Sequence, residues 1–379
     1  MGAVAKSGRA VLIGQTIDRR RSGMVTVEAN RQGISIMTRI VPAEWEAHKA
    51  MWVGFPSHEN LWQEDLIPAQ AEVAALVRAL CELGDEHVRL MVMGAEARAA
   101  AEELLGDLTR LEIIDGSFGD IWFRDTGPIY VSDDADDDDL HQALPVSFQN
   151  NGWGGKYHLK HDDEVALQIS TADGFPQELQ DFILEGGALD HDGHGTAITT
   201  RQCLLNPNRN PGWTQSLAEK ALFQSLGIRK VIWLDDGLLN DHTDGHVDNL
   251  ARFVAPGVVA CPVAFGREDP NADVYDATAK LLSTQHDSRG QPIQVVRIPS
   301  PGEVLDEDGE IVPASHMNFL IANDCVVVPI YKERPGELAV EALQSLFPER
   351  QVLGLSSRAI LTGGGSFHCI SQQVPLIKA

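Results

Sequence analysis

The sequence predicts an α/β protein, with one catalytic domain over residues 37–379 preceded by an N-terminal extension over residues 1–36. Two observations carry this. From Met37 onward, short apolar runs alternate with longer runs of helical periodicity, as expected when strands and helices are laid down in turn. Two distant units also share one order: NLARFVAPGVVACPV and MNFLIANDCVVVPI each read as strand, tight turn and strand, followed by a helix and a further short strand. Such a recurrence predicts ββαβ modules of about 50 to 80 residues. Modules set around an axis would bring a loop from each to one centre.

The elements follow in order. Residues 1–36 carry Arg9, Arg31 and the run Arg19, Arg20, Arg21 with little acid and no sustained apolar periodicity. No apolar core of signal-peptide length follows the arginines, so a disordered extension is expected, or a start placed too early with Met24 or Met37 as the true one. MWVGFP reads as a strand, AQAEVAALVRALCEL (69–83) as a helix, VRLMVMG as a strand and AEARAAAEELLG (95–106) as a helix. The like-charged run DDADDDD (133–139) cannot pack and reads as a solvated loop. Helix SLAEKALFQSLG and strand VIWL come next, then the two repeated units with helices DVYDATAKLLSTQ and GELAVEALQSLFP and strands QVVRIP and VLGL.

Composition narrows the function classes. The 379 residues carry a formal net charge of −25, which repels nucleic acid and anionic membranes and favours a small cationic ligand. No run of about eighteen apolar residues could span a bilayer. The five cysteines are odd in number, far apart and include no CxxC pair, so neither a disulfide framework nor a thiolate zinc cluster is expected. Reduced thiols and a cytoplasmic location follow as expectations.

Four polar clusters flanked by glycine stand out: DIWFRDTGP (120–128), LEGGALDHDGHGT (184–196), HTDGHVDN (242–249) and LTGGGSFHCISQQ (361–373). Cys369 follows three glycines and His368, a setting that suits an exposed thiol on a tight turn, and such a thiol is a candidate nucleophile. His246 is the candidate proton donor, with Asp248 two residues on as a carboxylate partner. Glu185 follows an apolar run and precedes two glycines, which sets a carboxylate at a strand end. Asp125 lies near Trp122, and a ring beside a carboxylate suits a planar cation such as guanidinium. A second reading exists for DHTDGHVDN: if it is extended, His242, Asp244, His246 and Asp248 alternate onto one face as metal ligands of a hydrolase. A third is a binding module for cationic ligands without turnover.

The motifs PAEWEAHKAMWVGFP, WFRDTGP, LEGG with DGHGT, LLNPNRNP, TDGHVDN and GGGSFHCISQQVP together resemble the agmatine deiminases and the related bacterial-type peptidylarginine deiminases, members of the guanidino-modifying pentein superfamily. The resemblance runs in order from about Val41 to Pro375. It implies a five-bladed, pseudo-symmetric α/β propeller of ββαβ modules and a covalent-thiol hydrolase that needs no metal and no cofactor. It places the nucleophile on Cys369, the general acid and base on His246, the carboxylate that orients it on Glu185, the guanidinium-binding carboxylates on Asp125 and Asp248, and an aromatic wall on Trp122. The implied reaction converts agmatine to N-carbamoylputrescine and ammonia, a step of polyamine biosynthesis from arginine, and arginine or peptidyl arginine are the alternative substrates. Self-association into a homo-oligomer stays open. Two departures stand out. His242 occupies a place where agmatine-selective members carry an acid, which affects how the far end of a substrate is read. Ser366 and Phe367 replace the more usual Asn and Ile, with added bulk expected beside the nucleophile.

Overall fold

The computed structural model describes residues 39–132 and 143–377. The expected extension over residues 1–36 and the acidic run DDADDDD lie outside the described residues. The first unit consists of β1 (His48–Gly54), α1 (Leu66–Glu82), β2 (Val88–Val92), α2 (Ala95–Leu105) and β3 (Leu111–Asp115). The second holds β4 (Ile129–Ser132), β5 (Ala143–Gln149), α3 (Val165–Asp173) and β6 (Glu178–Ile183), and the third β7 (Asp190–His191), β8 (Thr196–Thr200), α4 (Gln215–Leu226) and β9 (Lys230–Leu234). The fourth is β10 (Arg252–Ala255), β11 (Val258–Val263), α5 (Ala272–Leu282) and β12 (Gln294–Pro299). The fifth is β13 (Leu320–Ile321), β14 (Cys325–Ile330), α6 (Glu333–Gln344) and β15 (Gln351–Ser356), and β16 (Ser371–Pro375) is the last strand of the described residues.

The recurrence legible in two units holds in the rest. In units two to five the first two strands pair antiparallel and the third pairs parallel with the second, with a helix carrying the chain across. A parallel pair needs such a crossover because its strands start at the same end. The first unit borrows its antiparallel partner from the far end of the sequence: its sheet runs β16-β1-β2-β3, with His48 opposite Pro375 and Val53 opposite Ser371. The last strand therefore closes the first unit. The fold is α/β with five sheets among the described residues.

Apolar side chains lie between each helix and its sheet. Leu222 and Leu226 of α4 pack with Ala197 and Trp233, Tyr275 and Leu282 of α5 with Val259 and Cys261, and Ala339 and Leu343 of α6 with Val326 and Val352. Each such Leu contributes about 1.5–3 kcal/mol by leaving water. Helix α4 starts where Thr214 accepts a hydrogen bond from the Leu217 amide and ends at Gly227, whose φ of 70° only glycine adopts readily. A Cβ at Gly227 would also come 1.9 Å from the Arg39 carbonyl oxygen. Among the described residues no helix is long and apolar enough to cross a membrane, and all five cysteines are free.

The units are tied together by buried charge. Arg252 on β10 is fully buried, donates from Nε to Asp190 of β7 at 2.7 Å, pairs through Nη2 with Glu44 ahead of β1, and donates to the carbonyls of Met317 and Phe319 ahead of β13. One side chain thus gathers units one, three, four and five about a common line. Arg252→Met leaves the buried Asp190 without its cation and Glu44 with His368 alone, so it is expected to cost about 3–5 kcal/mol of stability, read as a lower urea midpoint. A change below about 1 kcal/mol would show that the units are held by other contacts.

Candidate active site

The four glycine-flanked clusters occupy the connections between units. DIWFRDTGP makes a turn and a short helix just before β4, and LEGG makes a tight turn after β6. Residues 241–249 link β9 to β10 and end in the single turn Val247–Asn249, and the glycine-rich segment runs directly into β16. Three of them, DIWFRDTGP, HTDGHVDN and the glycine-rich segment, line together with Trp153 a cavity of ≈ 330 Å³ whose walls include Trp122, Asp125, His242 and Cys369, and LEGG meets these groups through Gly187 and Glu185 without lining the cavity.

Cys369 lies on the cavity floor and is 6 % exposed, so it is not the exposed turn thiol expected from its glycine neighbours. The glycines instead let the chain pass under the indoles: a Cβ at Gly365 would lie 2.6 Å from Trp122 and 3.0 Å from the Cys369 Cβ. The Sγ accepts from Asn318 Nδ2 at 3.0 Å and lies 3.6 Å from Asp248 Oδ2. Burial, followed by the charges of Asp248 and Asp125, pushes this thiol well above the ordinary range.

His246 is completely buried, with Nδ1 3.7 Å from Asp125 Oδ1 and Nε2 3.8 Å from Glu185 Oε2. Neither ring nitrogen has a hydrogen-bond partner. Burial alone would lower its pKa, but Asp125, Cys203 and Glu185 outweigh this and raise it well above the usual value. Glu185 Oε1 accepts from Arg209 Nε at 2.8 Å. Burial would raise the Glu185 carboxyl, while His246 and Arg209 hold it below its ordinary value.

Asp125 accepts from the Gly187 amide at 2.9 Å and from Trp153 Nε1 at 2.8 Å. Its carboxyl is pushed up by burial and by Asp248 and Glu185, against the opposing effect of His246. Gly187 has no room for a side chain, since a Cβ there would stand 2.7 Å from His246 Nδ1 and 2.8 Å from Asp125 Oδ1. Asp248 differs: Oδ2 accepts from His368 Nδ1 at 2.8 Å and Asn318 Nδ2 at 3.2 Å, whereas the buried Oδ1 has no partner. Burial would raise it too, but His368 holds it below the ordinary value.

The segment DHTDGHVDN is not extended, so the face-sharing expected of it does not arise. His242 meets Tyr157 at the cavity rim, with Nδ1 2.8 Å from the phenol oxygen and the rings stacked. Asp244, at a φ of 65°, is held by Arg209, Asn208 and Lys156. His246 turns to Asp125 and Glu185, and Asp248 turns away from it to His368. The proposed quartet of metal ligands therefore disperses onto separate partners. Ser366 and Phe367 also differ from expectation: Ser366 bonds Ser357 at 2.6 Å, and Phe367 is fully buried in the apolar core, so neither adds bulk to the cavity.

Trp122 lines the cavity, but its indole N–H binds Asp120 at 2.7 Å, and the indole that contacts Asp125 is Trp153. Trp153, Asn318, Arg209 and Glu44 were missed in the sequence. Trp153 carried a usable signal, because NNGWGGK has the same glycine setting as the other four clusters. Asn318 sits in the apolar run MNFLI, which does not announce it, and Glu44 is one of two acids in PAEWEAHKA with nothing local to set it apart from Glu46.

Four ββαβ units and a first unit closed by β16, with a buried thiol where their connecting loops meet, make this an α/β protein of the deiminase fold. Within it the chain belongs to the Porphyromonas-type peptidyl-arginine deiminase family, whose model matches residues 40–375. It is 36% identical to the agmatine deiminase of Stutzerimonas stutzeri, across 88% of this chain and 95% of the relative, and 35% identical to that of Pseudomonas aeruginosa with the same coverage. The solved agmatine deiminase of Enterococcus faecalis is similar in fold, with a TM-score of 0.82 at 30% identity, covering 89% of this chain and 96% of that one.

The electrostatics make a prediction for the free protein. The Cys369 thiolate should appear, by ultraviolet titration against a Cys369→Ala blank, only above the ordinary thiol pKa of about 8.5. Asp248→Asn removes an adjacent negative charge and should move that appearance to lower pH. An unmoved titration would disprove the charge argument.

Proposed function

We propose that the protein is an agmatine deiminase, with residues 37–379 as one catalytic domain acting in the cytoplasm on a free guanidine. The observation that carries this reading is Asp248 Oδ1, a fully buried carboxylate oxygen with no partner, on the residue that lies beside the Cys369 sulfur. A buried acceptor left unpaired is costly, and a guanidinium N–H is the donor that would satisfy it. Asp125 supplies the second carboxylate, and Trp122 and Trp153 supply ring faces for the planar cation.

The reaction follows from the protonation directions. A neutral thiol and a cationic His246 are the resting pair, and a bound guanidinium offsets the negative charges that keep the thiol protonated. The thiol proton passes to solvent, and Cys369 Sγ bonds to the central guanidinium carbon as that carbon's C=N π bond opens onto nitrogen. His246, held beside Glu185, protonates one terminal nitrogen, the carbon–nitrogen bond breaks, and ammonia leaves a thiouronium adduct. The now neutral His246 takes a proton from water as its oxygen bonds to the same carbon. The carbon–sulfur bond then breaks, the adduct's hydroxyl proton passes to the departing sulfur, and N-carbamoylputrescine is released with the neutral thiol and the cationic imidazole restored. The whole consumes one water and releases one ammonium per guanidinium.

The rim favours comparison with a second guanidine. His242 and Tyr157 stack at the cavity edge, where a carboxylate would meet the far amine of agmatine. Arginine and peptidyl arginine are therefore the substrates to set beside it.

Cys369→Ala is expected to abolish ammonia release from agmatine while circular dichroism and melting stay near wild type; undiminished release would remove the nucleophile from this reading. His242→Glu should raise kcat/KM for agmatine about tenfold relative to arginine, near the worth of one charge-assisted hydrogen bond of ~1.5 kcal/mol. An unchanged ratio would mean that His242 does not face the substrate's amine.

A further inference from the structure

Behind the candidate centre lies a thiol that the proposed reaction does not use. Cys203, in the short helix Arg201–Leu204 after β8, is fully buried and free, and its Sγ lies 4.0 Å from Glu185 Oε2. His246 Nε2 lies 3.8 Å from the same oxygen. One donor atom from each of Glu185, Cys203 and His246 falls within 4.8 Å of the other two, and all three residues are buried.

We propose that Glu185, Cys203 and His246 form a binding site for a thiophilic divalent cation such as zinc, and that the bound ion inhibits the enzyme. A thiolate, an imidazole and a carboxylate make a mixed sulfur, nitrogen and oxygen set, which suits zinc, whereas magnesium and calcium take oxygen ligands. With Zn–S near 2.3 Å and Zn–N or Zn–O near 2.0–2.1 Å, donors spread around the ion stand roughly 3.3–3.8 Å apart. Closing the site therefore shortens the 4.0 and 3.8 Å separations to Glu185 by about 0.5 Å and the sulfur–imidazole separation, which lies within 4.8 Å, by at most about 1 Å.

Two further observations point to a ligand here. Both ring nitrogens of His246 lack a hydrogen-bond partner although the ring is entirely buried, and buried polar groups are rarely left so. Arg209 Nε holds Glu185 Oε1 at 2.8 Å, which fixes the carboxylate with Oε2 turned to the other two donors. Such an outer partner orients a metal ligand and sets its affinity.

Entry of the ion displaces the Cys203 thiol proton and requires His246 as a neutral ligand. Coordinated in this way, His246 can neither protonate the leaving nitrogen nor accept a proton from water. The inhibition rests on the proposed deiminase reaction, while the binding does not. The sign is opposite to that of a metallohydrolase, which would need its ion.

Cobalt(II) as an optical probe with zinc as competitor, on the purified full chain, tests this. The wild type is expected to bind one cobalt per chain with a thiolate-to-cobalt charge-transfer band that zinc displaces. The band should persist in Cys369→Ser and disappear in Cys203→Ser, with zinc affinity about a hundredfold lower or worse. Circular dichroism checks that each variant is folded, and Cys203→Ala serves if the serine variant is not. Absence of the band in the wild type overturns the proposal, as does a band that survives Cys203→Ser and vanishes in Cys369→Ser. Binding at Cys203 with undiminished ammonia release overturns the inhibition, whereas no ammonia release from the metal-free chain counts against the deiminase reading instead.

Discussion

A line of buried ionisable groups runs through the middle of the protein, and the arrangement of its units depends on that line. Asp248 meets His368 at 2.8 Å, His368 meets Glu44 at 3.1 Å, Glu44 pairs with Arg252, and Arg252 meets Asp190 at 2.7 Å. These groups come from separate places in the chain: the β9–β10 link, the segment before β16, the segment before β1, β10 itself and β7. An ion taken out of water costs several kcal/mol unless a partner meets it with good geometry. Sliding one unit relative to the next would strand one of these charges. Burial would raise the Glu44 carboxyl, yet Arg252 and His368 hold it well below its usual value.

The same line sets the chemistry at its upper end. Asp248 and Asp125 lie near one thiol, but their environments differ. Asp248 has an imidazole bonded to it, whereas Asp125 has the two neutral donors Gly187 and Trp153 and only the more distant His246 as a cation. The first is held ionised and the second is pushed up. The cavity therefore sets the Cys369 thiol among carboxylates, with the unpartnered Asp248 Oδ1 on the residue beside it, a setting that favours a cation. A net charge of −25 over the whole chain reinforces that preference at longer range.

Much of this was legible from local pattern. The central strands VVACPV and CVVVPI are buried on both faces, so they read as continuous apolar runs whatever surrounds them. The first strands of units three and five are two residues long, too short to show a period; the one in unit five was legible because its turn and partner strand follow directly in MNFLIANDCVVVPI, whereas the one in unit three became recognisable only through pairing. The glycines around Cys369, Glu185 and His246 marked the centre because close packing of backbone against side chains needs them. They did not reveal whether the thiol was exposed, since a glycine run permits both an open turn and a buried passage beneath two indoles.

By itself the sequence determined the alternation of strands and helices and the repeat, and it singled out a thiol, an imidazole and three carboxylates as candidates, because side-chain period and glycine placement are local properties. The tertiary structure decided which of these groups face each other. It sent Asp248 to His368 rather than His246, put Trp153 on Asp125 in the place expected of Trp122, and dispersed the alternating residues of DHTDGHVDN onto four sets of partners. Those outcomes depend on the closing of β1 against β16 and on the pairing of buried charges across units, which join residues more than 300 positions apart, such as Glu44 and His368. Spacing along the chain carries no information about contacts of that range.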